Sequence, residues 1–328
     1  MIPYNWLFEA QIKISPYAPL TPLTYDPENL IYIKWENHQV TGSFKASSAI
    51  NKVLSLQNWE LRRSIVTASA GNHGQGVALA GQIANSTVIV YASKHAVREK
   101  LAAIAELGAE IWLVDGGFDK AEETGRTFAQ KDDMTWISPY NDGRIIAGQG
   151  TFGVKVLNDP SYRDRHNKIT WIVPTSGGGL VSSLCIALKS HEPTLGQINI
   201  VGVQSEMSAF MDSIFHRGTQ ENVADLPSIA DGLSGAVERN SVTIPIVKKY
   251  VDDLILVTER EIADEILFAW YSYNEVVEGA AATALDAVIS GKISDSPVVI
   301  ILSGGNIPSS LHQRIINREW TTEELIEN

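Results

Sequence analysis

The sequence predicts an α/β protein built from open, twisted, mostly parallel sheets with helices on both faces. Runs rich in β-branched and aromatic residues recur near positions 31, 64, 87, 110, 134, 169, 198, 254 and 297, and they alternate with segments whose apolar residues have helical spacing. Strands that alternate with helices favour βαβ units and therefore parallel pairing. The chain has 328 residues, 44% of them hydrophobic, and can bury the cores of two lobes.

Two domains are expected, one inserted into the other. Residues 66–142 contain four of the strand-like runs and are predicted to form a small domain, while residues 1–65 and 143–328 form a large one. Ligands of open α/β sheets bind beyond the carboxyl ends of the strands. We therefore expect the functional site in the cleft between the domains, where the small domain can close on a ligand.

Composition and charge exclude several classes of function. The net charge of −12 argues against nucleic-acid and anionic-membrane partners. The N-terminal segment has no long apolar run, so neither a signal peptide nor a membrane span is expected there. Cys185 is the only cysteine, so no disulfide can form within the chain and a cytoplasmic location is predicted.

Residues 41–45 (TGSFK) are the most informative stretch of the chain. They follow the strand-like run at residues 30–35 and open a helical pattern that continues to residue 54, which places Lys45 in the first turn of a helix. The partial positive charge of a helix N-terminus and desolvation both disfavour an ammonium group. Lys45 can therefore lose its proton and act as a nucleophilic amine, although a lysine in this position is by itself more often a solvated surface residue.

Three further loops follow predicted strands and carry glycine or small polar residues. Residues 69–76 (SAGNHGQG) and 174–180 (PTSGGGL) each precede a helical pattern, so their backbone N–H groups suit an anion. The three consecutive glycines let the backbone wrap a phosphate, and this loop lacks both the lysine of a P-loop and the spacing of a dinucleotide fingerprint. In residues 303–306 (SGGN), a serine ends an apolar strand at the ligand crevice. Each loop alone could be a cap or an ordinary turn, but together with Lys45 they predict one binding site.

These motifs together resemble the pyridoxal-phosphate-dependent enzymes of the tryptophan synthase β-subunit fold type (fold type II), and within them the threonine/serine dehydratase and serine racemase family. The resemblance extends over nearly the whole chain and rests on the joint order and spacing of seven segments. These segments are residues 41–45, 69–76, 146–151, 174–180, 229–233, 278–280 and 303–306.

The resemblance implies a role for each predicted site residue. Lys45 would hold pyridoxal 5′-phosphate as a Schiff base and act as the catalytic base that takes the Cα proton of the substrate. Phe44 would lie beside the cofactor ring, Ser303 would bond the pyridine nitrogen, and Glu278, which we expect to end an apolar helix, would line the cofactor site. The other implied roles are binding of the phosphate (Ser176, Gly177, Gly178 and Gly179), of the phenolic oxygen (Asn72) and of the substrate carboxylate (Ser69, Gly71, Asn72 and His73).

The implied activity is that of a lyase, which eliminates water from a β-hydroxy amino acid such as L-threonine or L-serine and releases a 2-oxo acid and ammonia. The neutral Ser303 suits β-elimination, and Ala70 stands where the racemases carry a serine that serves the opposite face of Cα. Alternatives stay open: a serine or aspartate racemase, a dehydratase of 3-hydroxyaspartate or of hydroxyectoine-pathway intermediates, and a non-catalytic protein that binds pyridoxal phosphate or an amino acid. The family also implies a homodimer.

Two further expectations concern metal ligands and acidic residues. Ser205 and Met211 align with positions where several relatives bind a divalent cation, and neither side chain is a good ligand for a hard cation. No divalent metal is therefore expected, while a monovalent cation stays open. A cluster of acidic residues is expected to form a solvated first turn of a helix: Glu259, Glu261, Asp264 and Glu265.

Overall fold

A six-stranded sheet forms the larger layer of the protein. The computed structural model describes residues 2–159, 162, 168–189, 197–294, 297–321 and 324. The strands of the large sheet are β1 (Leu23–Asp26), β2 (Ile31–Trp35), β7 (Lys168–Pro174), β8 (Gln197–Ser205), β9 (Asp253–Val257) and β10 (Val298–Leu302). They lie in the order β1-β2-β10-β7-β8-β9, and every neighbouring pair is parallel except β1 with β2.

A second, four-stranded sheet is entirely parallel. Its strands are β3 (Ile65–Ala68), β4 (Val88–Ser93), β5 (Glu110–Val114) and β6 (Thr135–Trp136), in the order β5-β4-β3-β6. Each strand-like run of the sequence corresponds to one strand, so the predicted fold class is confirmed. The prediction missed β1, because this strand is only four residues long, half-exposed and paired at the sheet edge, where no apolar alternation is needed.

Helices connect the strands and cover both sheets. In chain order they are α1 (Asn5–Ile14), α2 (Lys45–Val53), α3 (Asn58–Leu61), α4 (Asn72–Ala84), α5 (Arg98–Glu106), α6 (Phe118–Lys131), α7 (Gly143–Gln149), α8 (Thr151–Asn158), α9 (Gly179–Lys189), α10 (Phe210–Arg217), α11 (Thr243–Tyr250), α12 (Glu259–Phe268), α13 (Gly279–Ile289) and α14 (Ser309–Ile316). A single π-helical turn, Ala269–Tyr273, continues α12. A 3-10 turn, Asp231–Leu233, precedes α11.

The large sheet is buried on both of its faces. Along β10, Val298 and Ile300 pack into one apolar core with α12 and α13, while Val299 and Ile301 pack into a second core with α9. Successive side chains of a strand point to opposite faces, so a central parallel strand needs apolar residues at every position. This requirement explains the unbroken VVIIL sequence of β10. Polar residues can follow only where the strand leaves the core, and this is the edge of the sheet at which a site can form.

Helix α2 packs beside the small sheet. Ile50 and Val53 of α2 share a core with Ile65 of β3 and Val77 of α4, and Val66 of β3 faces a separate core under α6. Because Lys45 is the first residue of α2, this packing fixes the lysine between the two sheets. The domain boundaries at residues 65/66 and 142/143 stay a prediction.

Two local expectations were wrong. Glu259 and Glu265 are buried instead of solvated, although Asp264 of the same cluster is exposed. Hydrogen bonds stabilise the buried Glu259, because its carboxylate accepts from the Ser205 hydroxyl, the Ser228 hydroxyl and the Ile229 N–H at 2.6 to 2.7 Å. Glu278 does not end a helix but caps the N-terminus of α13, where a carboxylate is favoured by the helix dipole.

Candidate active site

One cavity of about 290 Å³ opens between the carboxyl ends of the two sheets. Its wall comes from the end of β3, from the loop between β7 and α9, from the start of α2 and from the end of β10. Every residue predicted from the sequence to form the site lines this cavity: Phe44, Lys45, Ser69, Gly71, Asn72, His73, Ser176, Gly177, Gly178, Gly179, Glu278 and Ser303. The structure thus brings the predicted residues together, while their individual roles stay predictions.

Two hydrogen bonds hold Lys45 and its neighbour Phe44 at the cavity wall. The Phe44 N–H donates to the Ser303 carbonyl at 3.1 Å, which joins the start of α2 to the end of β10. The Lys45 ammonium donates to the Pro139 carbonyl at 2.9 Å. Burial lowers the pKa of Lys45 to about 8, and the nearby Glu278 acts in the opposite direction. The amine therefore reaches its neutral, nucleophilic form close to physiological pH.

The turn formed by residues 69–73 lies beside this lysine. It connects β3 to α4, and the Gly71 N–H donates to the Ser69 hydroxyl at 3.1 Å. His73 is buried, and its burial, followed by the charge of Lys45, lowers the pKa of the imidazole to about 3. His73 is therefore neutral at all physiological pH values and offers a hydrogen-bonding ring instead of a charge.

The glycine loop, residues 176–179, forms the opposite wall at the start of α9. A Cβ atom on Gly177 would lie 2.6 Å from the ring of Tyr140, and a Cβ on Gly178 would lie 2.8 Å from Cε of Met211. Gly178 also has a φ of +82°, which favours glycine. A hydrogen bond from α11 also holds the loop in place, because the Thr243 hydroxyl donates to the Gly177 carbonyl at 2.6 Å. Its backbone N–H groups at a helix N-terminus suit a phosphate.

Glu278 is a buried carboxyl group whose hydrogen bonds lie within the site. Burial raises the pKa of Glu278 to about 7, while the Lys100 charge and hydrogen bonds from Asn72 and the Asn306 backbone lower it. The Asn72 amide donates to Glu278 Oε1 at 2.7 Å. The carboxyl group therefore accepts a hydrogen bond from a polar side chain of the 69–73 turn.

Sequence reasoning missed several residues of the cavity wall. Tyr140 packs against the glycine loop, and its hydroxyl accepts from the Glu238 N–H at 2.9 Å. This tyrosine follows β6, so the position after a strand could have identified it. Lys100 of α5 forms an ion pair with Asp231 across the cavity. Residues 229–233 were part of the family resemblance but were given no role in the site, and no local pattern marked Lys100.

The two positions aligned with a metal site have other contacts here. Ser205 donates its hydroxyl to Glu259, and Met211 packs beneath Gly178 of the glycine loop. No group of three or more His, Cys, Asp or Glu side chains that could hold a metal occurs among the described residues. Within the same part of the chain, no helix is both long and apolar enough to cross a membrane.

Comparisons with known proteins agree with this geometry. A model of the pyridoxal-phosphate dependent enzyme family matches residues 9–304. The chain is 40% identical over 327 residues to an L-threonine ammonia-lyase of Thermotoga maritima, an alignment that covers 97% of this chain and 79% of that protein. Maize serine racemase superposes with a TM-score of 0.84 at 27% identity, covering 96% of this chain and 97% of that one. The processed form of threonine deaminase isoform 2 from Solanum lycopersicum superposes with a TM-score of 0.83 at 28% identity, covering 95% of this chain and 93% of that one.

Proposed function

The chain belongs to the family of pyridoxal-phosphate-dependent enzymes, and from this premise we propose that it is an ammonia-lyase that eliminates water from L-threonine and releases a 2-oxo acid and ammonia. The observation that carries the proposal is that Lys45, the glycine loop and the 69–73 turn line one cavity. The Thermotoga maritima relative, named an L-threonine ammonia-lyase, supports the choice of substrate. L-Serine, which lacks only the terminal methyl group, is expected to react as well.

The residues of the cavity fit pyridoxal phosphate. The glycine loop has no room for a Cβ at Gly177, Gly178 or Gly179, so its backbone stays uncovered and can hold the phosphate through N–H groups without a cation. Ser303 would hydrogen-bond the pyridine nitrogen, Asn72 would donate to the phenolic oxygen, and Phe44 would lie beside the ring. When bound, the cofactor stabilises the negative charge that develops at Cα of the attached amino acid.

Lys45 supplies the covalent anchor and the base. Its amine, whose pKa is lowered by burial, would hold the cofactor covalently until the substrate amine takes its place. Nζ would then take the Cα proton and return it to the β-hydroxyl, which leaves as water while the electron pair left at Cα forms the Cα–Cβ double bond. The 69–73 turn holds the substrate carboxylate by backbone and side-chain donors, which aligns the Cα–H bond with Nζ. The released enamine hydrolyses to the 2-oxo acid and ammonia.

Ala70 favours elimination over racemisation. Racemisation needs a proton donor on the face of Cα opposite to Lys45, and Ala70, which lines the cavity, offers only a methyl group there. The maize neighbour is a serine racemase, so racemase activity is the second candidate function. The dehydration of 3-hydroxyaspartate or of hydroxyectoine-pathway intermediates, and binding without catalysis, are the remaining alternatives.

Incubation of the purified protein and pyridoxal phosphate with the L- and D-isomers of serine, threonine and 3-hydroxyaspartate tests the proposal. Oxo acid, ammonia and the chirality of the remaining amino acid are followed together. Oxo acid and ammonia from L-threonine without any enantiomer support the proposal, while an accumulating enantiomer would support the racemase. Lys45→Ala should abolish both the product and the visible absorbance of the attached cofactor.

The assembly and location of the enzyme are further parts of the proposal. A cytoplasmic homodimer is proposed because the single buried Cys185 needs no oxidising compartment and because the family resemblance implies a dimer. The inserted small domain at residues 66–142 is likewise proposed. It would move as a unit, carrying the 69–73 turn toward the glycine loop when the substrate binds.

A further inference from the structure

Two elements beside the cavity have no role in the chemistry above: the Thr41-Gly42 pair before Lys45 and Asn306 at the end of the SGGN loop. In the structure these elements meet. The Asn306 side-chain amide nitrogen donates to the Thr41 carbonyl at 2.8 Å and to Asn72 Oδ1 at 2.6 Å. Asn72 Nδ2 in turn donates to Glu278 Oε1 at 2.7 Å. A continuous chain of hydrogen bonds therefore links the backbone at Thr41 to the carboxyl group of Glu278.

This chain permits only one orientation of each amide. The Thr41 carbonyl can only accept, so the atom of Asn306 that faces it must be the NH₂ group. The same NH₂ group donates a second hydrogen bond, and the atom of Asn72 that accepts this bond must be the carbonyl oxygen. The NH₂ group of Asn72 is thereby directed to Glu278, and one of its two N–H bonds stays available to the cavity that Asn72 lines.

The backbone around Asn306 is shaped to hold it in this place. Gly42 has a φ of +69°, and a Cβ on it would lie 2.5 Å from Oδ1 of Asn306. The Gly305 N–H donates to the Gly42 carbonyl at 2.9 Å, and the Glu278 N–H donates to the Gly304 carbonyl at 3.1 Å. Backbone hydrogen bonds therefore fix the loop that carries Asn306 to Gly42 on one side and to Glu278 on the other.

We propose that Asn306 is a positioning residue that fixes the amide of Asn72 so that its N–H, and not its carbonyl oxygen, faces the phenolic oxygen of the cofactor. This inference rests on the role proposed above for Asn72. Without Asn306 the Oδ1 atom of Asn72 loses its partner, and only the bond to Glu278 remains. Because burial raises the pKa of Glu278 to about 7, its carboxyl group can donate as well as accept near neutral pH and does not fix which atom of Asn72 faces inward. A rotated amide presents a carbonyl oxygen to the ring oxygen, and two acceptors repel each other.

Cofactor binding by the stripped protein tests this role without using activity. The dissociation constant is measured from the quenching of tryptophan fluorescence for two probes, pyridoxal phosphate and 3-deoxypyridoxal 5′-phosphate, which lacks the ring oxygen. The informative quantity is the ratio of the two constants, because every variant retains Lys45 and the contribution of covalent attachment cancels. Asn306→Asp places an acceptor against the Thr41 carbonyl and Asn72 Oδ1. The preference for pyridoxal phosphate, which is the dissociation constant of the deoxy probe divided by that of pyridoxal phosphate, should fall about tenfold.

Three further variants complete the experiment. Asn317→Asp makes the same substitution at an exposed residue after α14 and should leave the ratio unchanged. Asn72→Ala removes the proposed donor itself and should lower the preference as much as Asn306→Asp does. Asn306→Ala removes the donors without adding a charge, and it replaces Asn306→Asp if circular dichroism shows that the aspartate prevents folding.

The outcomes separate the inference from the function on which it rests. Loss of preference in both the Asn72 and Asn306 variants supports the inference. If Asn72→Ala loses the preference and the Asn306 variants keep it, Asn306 does not position Asn72 and the inference is overturned. If the Asn306 variants weaken both probes equally, the residue is merely structural and the inference is again overturned. If Asn72→Ala keeps the preference, the proposed role of Asn72 is wrong and the inference falls with it.

Discussion

Replacing Lys45 by methionine should abolish catalysis and at the same time stabilise the cofactor-free protein. The substitution keeps a long, unbranched side chain but removes an amine whose pKa falls from 10.5 to about 8 in the folded state. At neutral pH the folded protein therefore bears the cost of a poorly solvated ammonium group. A pKa difference of this size corresponds to about 3 kcal/mol, since one pKa unit is about 1.4 kcal/mol. The lost hydrogen bond to the Pro139 carbonyl offsets about 1 kcal/mol, which leaves a gain of about 2 kcal/mol.

The pH dependence gives this prediction its distinctive signature. Between pH 8 and pH 10.5 the unfolded chain keeps a proton on Lys45 that the folded protein has released. The free energy of unfolding of the wild type therefore rises with pH across this window, while the Lys45→Met variant lacks this contribution. The advantage of the variant should be complete below pH 8 and should disappear as the pH approaches 10.5.

Thermal and urea unfolding of the stripped proteins measure the effect. At neutral pH the melting temperature of Lys45→Met should exceed that of the wild type by about 3 °C. Lys52, in the same helix, supplies the matched control, because Lys52→Met removes an ion pair with Asp142 and should lower stability by up to about 1 kcal/mol. A Lys45→Met variant that is no more stable than the wild type, or whose advantage does not change with pH, would refute the reasoning.

Three further variants test other parts of the structure. Gly178→Ala should weaken pyridoxal phosphate binding at least about tenfold in fluorescence titrations, because the new Cβ would collide with Met211 and displace the glycine loop. Gly108→Ala is the control: Gly108 has a similar φ of +87° but open space around it, so the affinity should not change. Glu259→Gln should lower the free energy of unfolding, measured by urea denaturation, by about 2 to 3 kcal/mol, since three hydrogen-bond donors lose a buried carboxylate acceptor. The control Asp264→Asn, at an exposed position of the same helix, should change it by less than about 0.5 kcal/mol. Ala70→Ser should let D-serine accumulate from L-serine on a chiral column; its absence would show that the hydroxyl cannot serve the second face of Cα.

The strong negative charge of the chain does not prevent it from binding an anionic cofactor. The glycine loop contains no lysine or arginine, and its attraction for a phosphate arises from backbone N–H groups and the start of α9. Such dipoles act over a short range, so the −12 net charge of the whole chain matters little at this point. Binding is therefore selective for an anion that can reach the glycine backbone directly.

Local patterns were enough to predict the main parts of the site. The glycines at 177–179, the turn at 69–73, Ser303 and Lys45 each lie directly after a strand or at the start of a helix. Parallel strands place their carboxyl ends on one edge of a sheet, so residues that follow different strands come together without further information. The two sheets and nearly all of their strands were predictable for the same reason, because apolar runs mark buried parallel strands.

The sequence by itself determined the fold class and the placement of Lys45, the glycine loop and the 69–73 turn at strand ends and helix starts, since each depends on the order of neighbouring residues along the chain. Only the tertiary structure decided the burial of Glu259, the contact of Tyr140 with the glycine loop and the hydrogen bonds from Asn306 to Asn72. These contacts join segments far apart in the chain, and burial, pKa and amide orientation all depend on which groups pack around a side chain. No local pattern encodes those neighbours, because they are chosen by the packing of the whole protein.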